Sequence, residues 1–364
     1  MKKWAFKLLL GLFVGVSALL GAAELKNGHP DVYVVKKSDT LWDISAQFLE
    51  KPWLWPEIWQ VNPQVQNPHL IYPGDVLSLV YIDGEPKITR KAGVIKLSPE
   101  IREISRGAAI SALPLDVIKP FLVGARVVTK EQLNTAPYML ASDGDHLLAG
   151  KHVRIYARGV EQAEVQASYA LFRKGDAYID PVTQEVLGLE AIHLGEATVA
   201  RTGDPVTLDI TKSVQEMRKG DRLLPIDAQH LQPYFYPHAA KTETNGQIIS
   251  VYEGVTQIGQ FHVVIINRGT REGIEVGHVF SVWKKGEMFD DKIAKQRREE
   301  SDDYSAFSEF ADSITGNGKN DMVQLPDEEA GEIMIFRTFE KVSLALVMTA
   351  NRPIHLLDKI RNPY

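Results

Sequence analysis

The sequence predicts an α+β protein in which a small strand–helix–helix–strand (βααβ) module precedes two copies of a mainly-β module. Two observations carry this prediction. Residues 32–80 have β-rich runs at both ends, with helix-capping and helix-stopping residues between them. Residues 138–364 contain three blocks of sequence that recur in the same order further along the chain, which indicates an internal repeat.

The first 23 residues are typical of a secretory signal peptide. Lys2, Lys3 and Lys7 give a positively charged start, and the apolar run Leu8–Leu20 follows it. Gly21-Ala22-Ala23 then supplies the small residues of a cleavage site. The run is short for a membrane span, so we expect cleavage near Ala23 and Sec export to a bacterial periplasm. After cleavage no stable membrane insertion is expected; an uncleaved N-terminal anchor is the alternative.

The composition limits the classes of function. The 364 residues carry a formal net charge of −6, and loss of the three leader lysines would make it about −9. An acidic chain disfavours nucleic acid or anionic lipid as the main partner. The chain has no cysteine, which excludes disulfides, thiolate metal sites and cysteine-nucleophile hydrolases.

The first module begins with the β-rich run Tyr33–Val35, and Ser38–Thr40 then supplies N-cap chemistry for a helix. A second helix is predicted after Pro56 and ends at Asn62–Pro63. A Pro-Gly-Asp turn then leads into the strand Val76–Val80. The first helix keeps three apolar residues on one face: Leu41, Ile44 and Phe48.

This pattern resembles a LysM domain, a module that binds N-acetylglucosamine glycans in bacterial walls and chitin. The shared motifs are Tyr-x-Val, Asp-Thr-Leu-Trp-x-Ile, Ile-x-x-x-Asn-Pro and Ile-x-Pro-Gly-Asp-x-Leu. Two departures are Ser38, where the family usually has glycine, and the long aromatic segment Leu49–Pro56.

The resemblance implies a glycan-binding groove between the loop after the first strand, Ser38–Trp42, and the loop before the second, Pro68–Pro73. Leu41 and Ile71 also suit the hydrophobic core, and Asp39 and Thr40 also suit a helix cap, so these structural roles stay open as alternatives. The implied glycan-binding residues are Asp39, Thr40, Leu41, Leu70, Ile71 and Tyr72. Three tryptophans are assigned instead to a hydrophobic cluster: Trp53, Trp55 and Trp59.

Residues 82–137 are predicted to be a structured connector, opened by Asp83-Gly84-Glu85-Pro86 and with a helical turn at Leu115–Leu122. The β modules follow at residues 138–226 and 246–364. The second copy carries a charged, Gly/Asn-rich insertion near residues 292–322, which we expect to be a mobile surface loop.

Apolar alternation predicts strands in both copies, and each copy is expected to be a compact barrel or sandwich. In the alignment of the copies, His152 corresponds to His262, Ile155 to Ile265 and Gly195 to Gly331. The alternating residues of a later strand correspond in the same way, namely Val206, Leu208 and Ile210 with Val342, Leu344 and Leu346.

The catalytic residue sets of wall hydrolases are missing from the sequence. Its ten histidines contain no His-x-His and no His-Glu-x-x-His pair, and there is no Gly-x-Ser-x-Gly. A transglycosylase needs one well-placed acid, but the only Glu-Ser pair, Glu300-Ser301, lies in the insertion. We therefore expect no enzymatic activity, no cofactor and no metal site.

The sequence thus predicts a non-catalytic periplasmic protein that binds peptidoglycan glycan strands and presents its β modules to an envelope protein. The β modules and connector resemble the C-terminal part of LysM-bearing envelope proteins of Gram-negative bacteria. The first alternative is an assembly or structural component of a secretion, pilus or flagellar machine, because Ile265–Phe280 is similar to segments of periplasmic flagellar-assembly proteins. The second alternative is a cryptic wall hydrolase.

Overall fold

The chain forms two compact units, residues 1–109 and 110–363. Within the part of the chain that the structure describes, no helix combines the length and apolar character needed to cross a membrane. The predicted signal peptide and most of the predicted insertion lie outside the described residues. The computed structural model describes residues 23–59, 71–90, 110–123, 126–161, 163–226, 235–252, 257–293 and 322–363.

The first unit contains a three-stranded antiparallel sheet in the order β1-β2-β3, with its helical segments between β1 and β2. The helix predicted after Pro56 ends at Ile58, earlier than the predicted end at Asn62–Pro63, because Trp59 already has an extended backbone (φ −80°, ψ 107°). Residues 60–70 lie outside the described ranges. The elements in chain order are β1 (Val32–Val34), α1 (Leu41–Phe48), a 3-10 turn (Pro52–Leu54), α2 (Trp55–Ile58), β2 (Val76–Ile82) and β3 (Glu85–Arg90).

The sheet of the first unit continues past the residue at which the sequence predicts the module to end. Each residue of β2 from Leu77 to Ile82 has a partner in β3. The hairpin turns at Asp83 and Gly84, whose φ values of 53° and 86° suit a tight two-residue loop. The start of the predicted connector, residues 82–137, therefore contributes a strand to the sheet of this unit.

The core of the first unit follows the predicted helical spacing. Leu41, Ile44 and Phe48 are all fully buried. Trp53 and Trp55 are buried with them, which supports their assignment to a hydrophobic cluster. The aromatic segment between the helices therefore supplies core volume to a small domain.

The second unit opens with α3 (Leu115–Val123), which covers the predicted helical turn. The last carbonyls of this helix accept hydrogen bonds from a distant arginine: Arg337 Nη1 donates to Phe121 O at 3.0 Å and to Leu122 O at 2.9 Å. A cation near unpaired carbonyls at a helix C-terminus is favourable. β4 (Arg126–Val128) and α4 (Lys130–Thr135) follow.

Six strands then close into barrel one, with β4 paired to β8 outside the ring. They are β5 (Tyr138–Ser142), β6 (Arg154–Arg158), β7 (Ser168–Ile179), β8 (Val186–Arg201), β9 (Val206–Ser213) and β10 (Arg222–Pro225). The interior contains apolar side chains from all six strands, among them Met139, Ile155, Leu171, Val199, Leu208 and Leu223.

Barrel two is closed by six further strands, and a short strand, β11 (His238–Ala239), pairs with β14 outside the ring. A separate two-stranded ribbon consists of β15 (Met288–Asp290) and β16 (Met322–Gln324). The ring strands are β12 (Asn245–Val251), β13 (Val263–Ile266), β14 (His278–Lys284), β17 (Glu328–Thr338), β18 (Ser343–Ala350) and β19 (Lys359–Arg361).

The two barrels share one strand order. Barrel one runs β5-β6-β9-β8-β7-β10 around its ring, and barrel two runs β12-β13-β18-β17-β14-β19. In both rings the strands therefore follow the order first, second, fifth, fourth, third and sixth.

The strand pairings show that the sequence alignment of the copies is wrong by one residue in two strands. Ile155 pairs with Leu208 inside barrel one, and the equivalent pair inside barrel two is Val264 with Ala345. The alignment places Ile265 at this position. A shift of one residue turns every side chain of a strand to the opposite face.

The same shift separates the two histidines that the alignment makes equivalent. His152 has φ 70° and donates its N–H to Ile210 O, whereas Phe261 has φ 65° and donates to Val347 O. His152 therefore corresponds to Phe261, and His262 lies one position later.

Ile265 and Leu344 are buried although they face away from the core of barrel two, because barrel one covers them. They line a small cavity together with Arg126 and Tyr178, which come from the barrel-one side. All four residues of β13 are consequently buried. The apolar alternation that would indicate the register is absent from a strand with both faces covered.

A buried hydrogen bond joins the barrels. Asn267 of barrel two donates Nδ2 to Asp180 Oδ2 at 2.8 Å and accepts the N–H of Gln247 at 2.7 Å. Asp180 Oδ1 also accepts the N–H groups of Val182 and Thr183. Burial alone would raise the pKa of Asp180, but the hydrogen bonds from Thr183, Val182 and Asn267 outweigh it and lower that pKa.

Ion pairs extend this contact between the barrels. Glu185, on the β7–β8 hairpin of barrel one, lies 3.0 Å from Arg271 and 2.7 Å from Lys341 of barrel two. Hydrogen bonds from these two cations lower the pKa of Glu185 to about 2. The β7–β8 hairpin therefore contacts barrel two through a buried hydrogen bond at Asp180 and through the ion pairs of Glu185 at the surface.

Replacing Asn267 with alanine should lower the free energy of unfolding by about 2 kcal/mol, because Asp180 and the Gln247 N–H each lose a buried partner. Chemical denaturation of the full chain measures the change. Asp204→Ala, which breaks the exposed Arg158–Asp204 pair, is the control and should stay within about 0.5 kcal/mol.

The effect should depend on pH. The folded-state pKa of Asp180 is lowered, so its contribution is full above the unfolded value of about 3.9 and is lost as pH falls through the folded pKa. The difference between wild type and Asn267→Ala should therefore shrink in acid. Equal stability of the two proteins at pH 7 would contradict the buried contact.

Candidate functional site

The two loops that the sequence assigns to glycan binding lie side by side because the strands that carry them are paired. Val34 of β1 pairs with Val76 of β2. Just beyond this pair, Val35 N donates to Asp75 O at 2.9 Å and Gly74 N donates to Val35 O at 2.8 Å. The loop that leaves β1 and the loop that leads into β2 therefore meet at one end of the sheet.

Each loop contains a four-residue turn whose fourth residue is an aspartate. In the first turn, Asp39 N donates to Lys36 O at 3.3 Å, and Lys36 N donates to Asp39 Oδ2 at 2.8 Å. In the second turn, Asp75 N donates to Tyr72 O and Tyr72 N donates to Asp75 Oδ2, both at 3.0 Å. The two loops are thus shaped by the same pair of hydrogen bonds.

The third position of each turn has a left-handed backbone. Gly74 has φ 94° and Ser38 has φ 76°. A side chain at such a position is strained by contact of Cβ with the backbone, whereas glycine is not. This explains the departure noted in the sequence: Ser38 occupies a position that requires positive φ.

Asp39 also supports the first loop through Tyr33. Its Oδ2 accepts the Tyr33 hydroxyl at 2.9 Å in addition to the Lys36 N–H. Burial, followed by the hydrogen bond and the charge of Asp39, raises the pKa of Tyr33 to about 12. The phenol therefore remains a donor at neutral pH and fixes the carboxylate of Asp39 in the loop.

Thr40 has the structural role that the sequence left open. Thr40 Oγ1 accepts the N–H of Asp43 at 3.1 Å, and Thr40 N donates to Asp43 Oδ2 at 3.1 Å. These two bonds form a capping box at the start of α1. Because Thr40 is buried, its side chain is committed to the helix cap instead of the groove surface.

Two of the other predicted site residues also belong to the core. Leu41 is 0% exposed and Ile71 is buried, so neither offers a side chain to a ligand. Asp39 and Tyr72 are half-buried and remain partly accessible at the surface. Leu70 lies outside the described residues.

The described residues of the two loops therefore offer mainly backbone groups and the half-buried Tyr72 to a ligand. The first N–H groups of α1, those of Leu41 and Trp42, have no carbonyl partner within the helix. An acetamide carbonyl is a suitable acceptor for such donors. The tyrosine ring can offer an apolar surface to the face of a sugar.

Sequence reasoning missed two residues that shape the site, Asp43 and Asp75. Asp43 completes the capping box, and Asp75 closes the second turn and also lies 3.4 Å from Arg90. Both had a local signal: an acid three residues after Thr40, and the Pro-Gly-Asp sequence.

Comparison with known proteins confirms the family of this module. Residues 33–80 match the LysM domain. A 60-residue stretch is 37% identical to a Bacillus subtilis (strain 168) protein described as "Uncharacterized protein YqbP". This similarity covers 14% of the chain and 27% of that relative. The match is therefore to a module shared by two proteins, not to a whole chain.

Replacing Ser38 with glycine should raise the free energy of unfolding of the first unit by about 1 kcal/mol, because it removes the left-handed strain at the third turn position. Differential scanning calorimetry measures the shift. Ala46→Gly, inside α1 at a half-buried residue, is the control and should destabilise by about 1 kcal/mol. A loss of stability in Ser38→Gly would contradict the strain argument.

Proposed function

We propose that this chain, whose residues 33–80 form a LysM domain, is a non-catalytic protein that binds peptidoglycan glycan strands and holds two joined β barrels at the cell wall. A LysM domain is a module for N-acetylglucosamine glycans. The observation that carries the proposal is the meeting of the two turn-shaped loops at one end of the first sheet, with donor N–H groups of α1 beside them.

Glycan recognition by this groove would rest on shape instead of charge. The carboxylates of Asp39 and Asp75 accept N–H groups inside their own turns. Their role is then to hold the backbone in place, while the helix N–H groups and the Tyr72 ring would meet the sugar. A neutral N-acetylated glycan suits this arrangement of backbone donors and an aromatic surface.

The two barrels are proposed to be copies of one ancestral unit that serves as a protein-binding platform. Their common strand order and their three collinear sequence blocks support this origin. Both interiors contain apolar side chains, so a partner would bind the outer surfaces. Because Asp180, Glu185 and the β13 face connect the barrels, the pair would be presented as one body.

The proposed location is the periplasm, supported by the signal-like N-terminus and by the wall glycan that a LysM domain suits. The lack of recognisable hydrolase residue sets supports a role without catalysis. A role as a component of an envelope machine remains the second candidate. It differs in a testable way, since it requires the chain to co-purify with a membrane assembly.

Full-length protein should sediment with purified peptidoglycan sacculi, and a chain lacking residues 32–90 should not. The deletion extends to residue 90 because β3 is paired with β2 along its length. Tyr72→Ala should weaken binding about fivefold or more, through loss of the aromatic surface. Tyr81→Ala is the control, because Tyr81 lies in β2, is 64% exposed and is not part of the two loops. This variant should bind sacculi normally.

Trp53→Ala should mainly destabilise the LysM unit, by about 3 kcal/mol or more, because the ring is buried. If a folded Trp53→Ala protein no longer binds sacculi while a Tyr72→Ala protein still does, the assignment of the glycan site to the two loops is wrong. Co-purification of a membrane assembly with the deleted chain would favour the envelope-machine alternative.

The purified protein should leave sacculi intact, since its sequence has no cysteine nucleophile and no His-x-His or His-Glu-x-x-His motif. Chromatography of the supernatant after prolonged incubation measures soluble muropeptides. Their release by wild type, together with its loss on substitution of a single acidic residue, would establish the hydrolase alternative.

A further inference from the structure

Three metal-ligating side chains converge at the edge of barrel two. β11 pairs with β14 in parallel, and His238 is the register partner of His278, so both side chains leave the same face of the sheet. Their ring centroids are 4.8 Å apart. Glu275 is the first residue of the four-residue turn that ends at His278. One ligand atom from each of the three residues lies within 4.8 Å of the other two.

We propose that His238, Glu275 and His278 bind a divalent transition-metal ion, for which Zn²⁺ fits the donor set best. Two imidazoles and one carboxylate are a common zinc ligand set, with a fourth position left for solvent. Ligand atoms around a tetrahedral zinc ion are about 3.3 Å apart. Glu275 is exposed, so rotation of its side chain can close the remaining distance.

His238 is already oriented as a zinc ligand. Its Nδ1 lies 2.9 Å from Tyr236 O, and a nitrogen facing a carbonyl must carry the proton. The lone pair is thereby placed on Nε2, the usual arrangement in which a backbone carbonyl orients a metal-binding histidine.

Gly277 permits this approach. Its φ is 98°, and a Cβ at this position would collide with Tyr236 O and lie 3.0 Å from the His238 ring. Any other residue at position 277 would push the segment that carries His238 away from His278.

His278 is buried, and Glu275 N donates to its Nδ1 at 3.2 Å. A histidine must be unprotonated at the nitrogen that binds a metal ion. Coordination through Nε2 requires the ring proton to leave that atom and ends the hydrogen bond from Glu275 N. Because this hydrogen bond is lost, we expect the Zn²⁺ affinity to be about tenfold lower than that of a site whose histidine rings make no competing hydrogen bond.

The metal would add a link to the short segment that carries β11. β11 has only two residues, and His238 N donates to Gly277 O at 3.0 Å. A bound ion would add a link between this segment and the first residue of β14. The site belongs to the second unit, whereas the LysM domain belongs to the first.

The test uses the metal-free full chain titrated with Zn²⁺ against a chromogenic chelator, together with Co²⁺ absorption spectra. We expect one Zn²⁺ per chain, tetrahedral Co²⁺ bands and a zinc-dependent rise in melting temperature. Glu275→Gln leaves the backbone donor in place and should weaken binding at least tenfold. His278→Asn keeps an acceptor for the Glu275 N–H and should weaken it equally.

His355→Ala is the control, because His355 contributes to its own turn through backbone atoms, and it should bind Zn²⁺ as wild type does. Circular dichroism checks that each variant is folded. No uptake of Zn²⁺ by the wild type, or equal uptake by wild type, Glu275→Gln and His278→Asn, would overturn the proposal.

Discussion

Both units depend on one local interaction, a four-residue turn closed by the side chain of its fourth residue. The backbone N–H of that residue donates to the carbonyl of the first, and its side chain accepts the N–H of the first. The third residue has positive φ, and a strand or helix follows directly. The closing residues are Asp39 and Asp75 in the LysM unit, Asp221 in barrel one, and His262, His278 and Asp358 in barrel two. Because the turn fixes the residue at which the following element begins, it helps to specify the register of strand pairing.

The same interaction connects the fold to the proposed function. In the LysM unit the turn occurs twice at one end of the sheet, so both loops of the proposed glycan site have their backbone fixed by half-buried carboxylates. Several side chains that the sequence assigned to sugar binding have structural roles instead: Thr40 caps α1, and Leu41 and Ile71 are buried in the core. What the scaffold presents is backbone and one aromatic ring, which suits an uncharged, repetitive glycan. In barrel two the closing residue at position 278 is a histidine, and it adds a metal-ligating ring to the turn.

The LysM unit could be predicted from sequence because its loops and caps are local and carry Ser-Asp-Thr and Pro-Gly-Asp signals. The barrels could be predicted as β modules, but not in register. Ile265 and Leu344 are apolar because barrel one covers them, and no single-strand pattern separates such a contact from a core. The extension of the first sheet by β3 was missed because Asp83-Gly84 was interpreted as a linker, although it also suits a hairpin. The His238–Glu275–His278 cluster could not be foreseen, since a parallel pairing between distant segments creates it.

The most direct measurement is the pattern of backbone amide shifts when the isotope-labelled full chain is titrated with a soluble N-acetylglucosamine oligomer. The account predicts that the largest changes fall on the N–H groups of residues 39–42 and 71–72, and that the amides of both barrels are unchanged. Glycan should also slow hydrogen exchange at the first N–H groups of α1. Changes centred on Trp53–Trp59, or on either barrel, with the two loops unaffected, would contradict it.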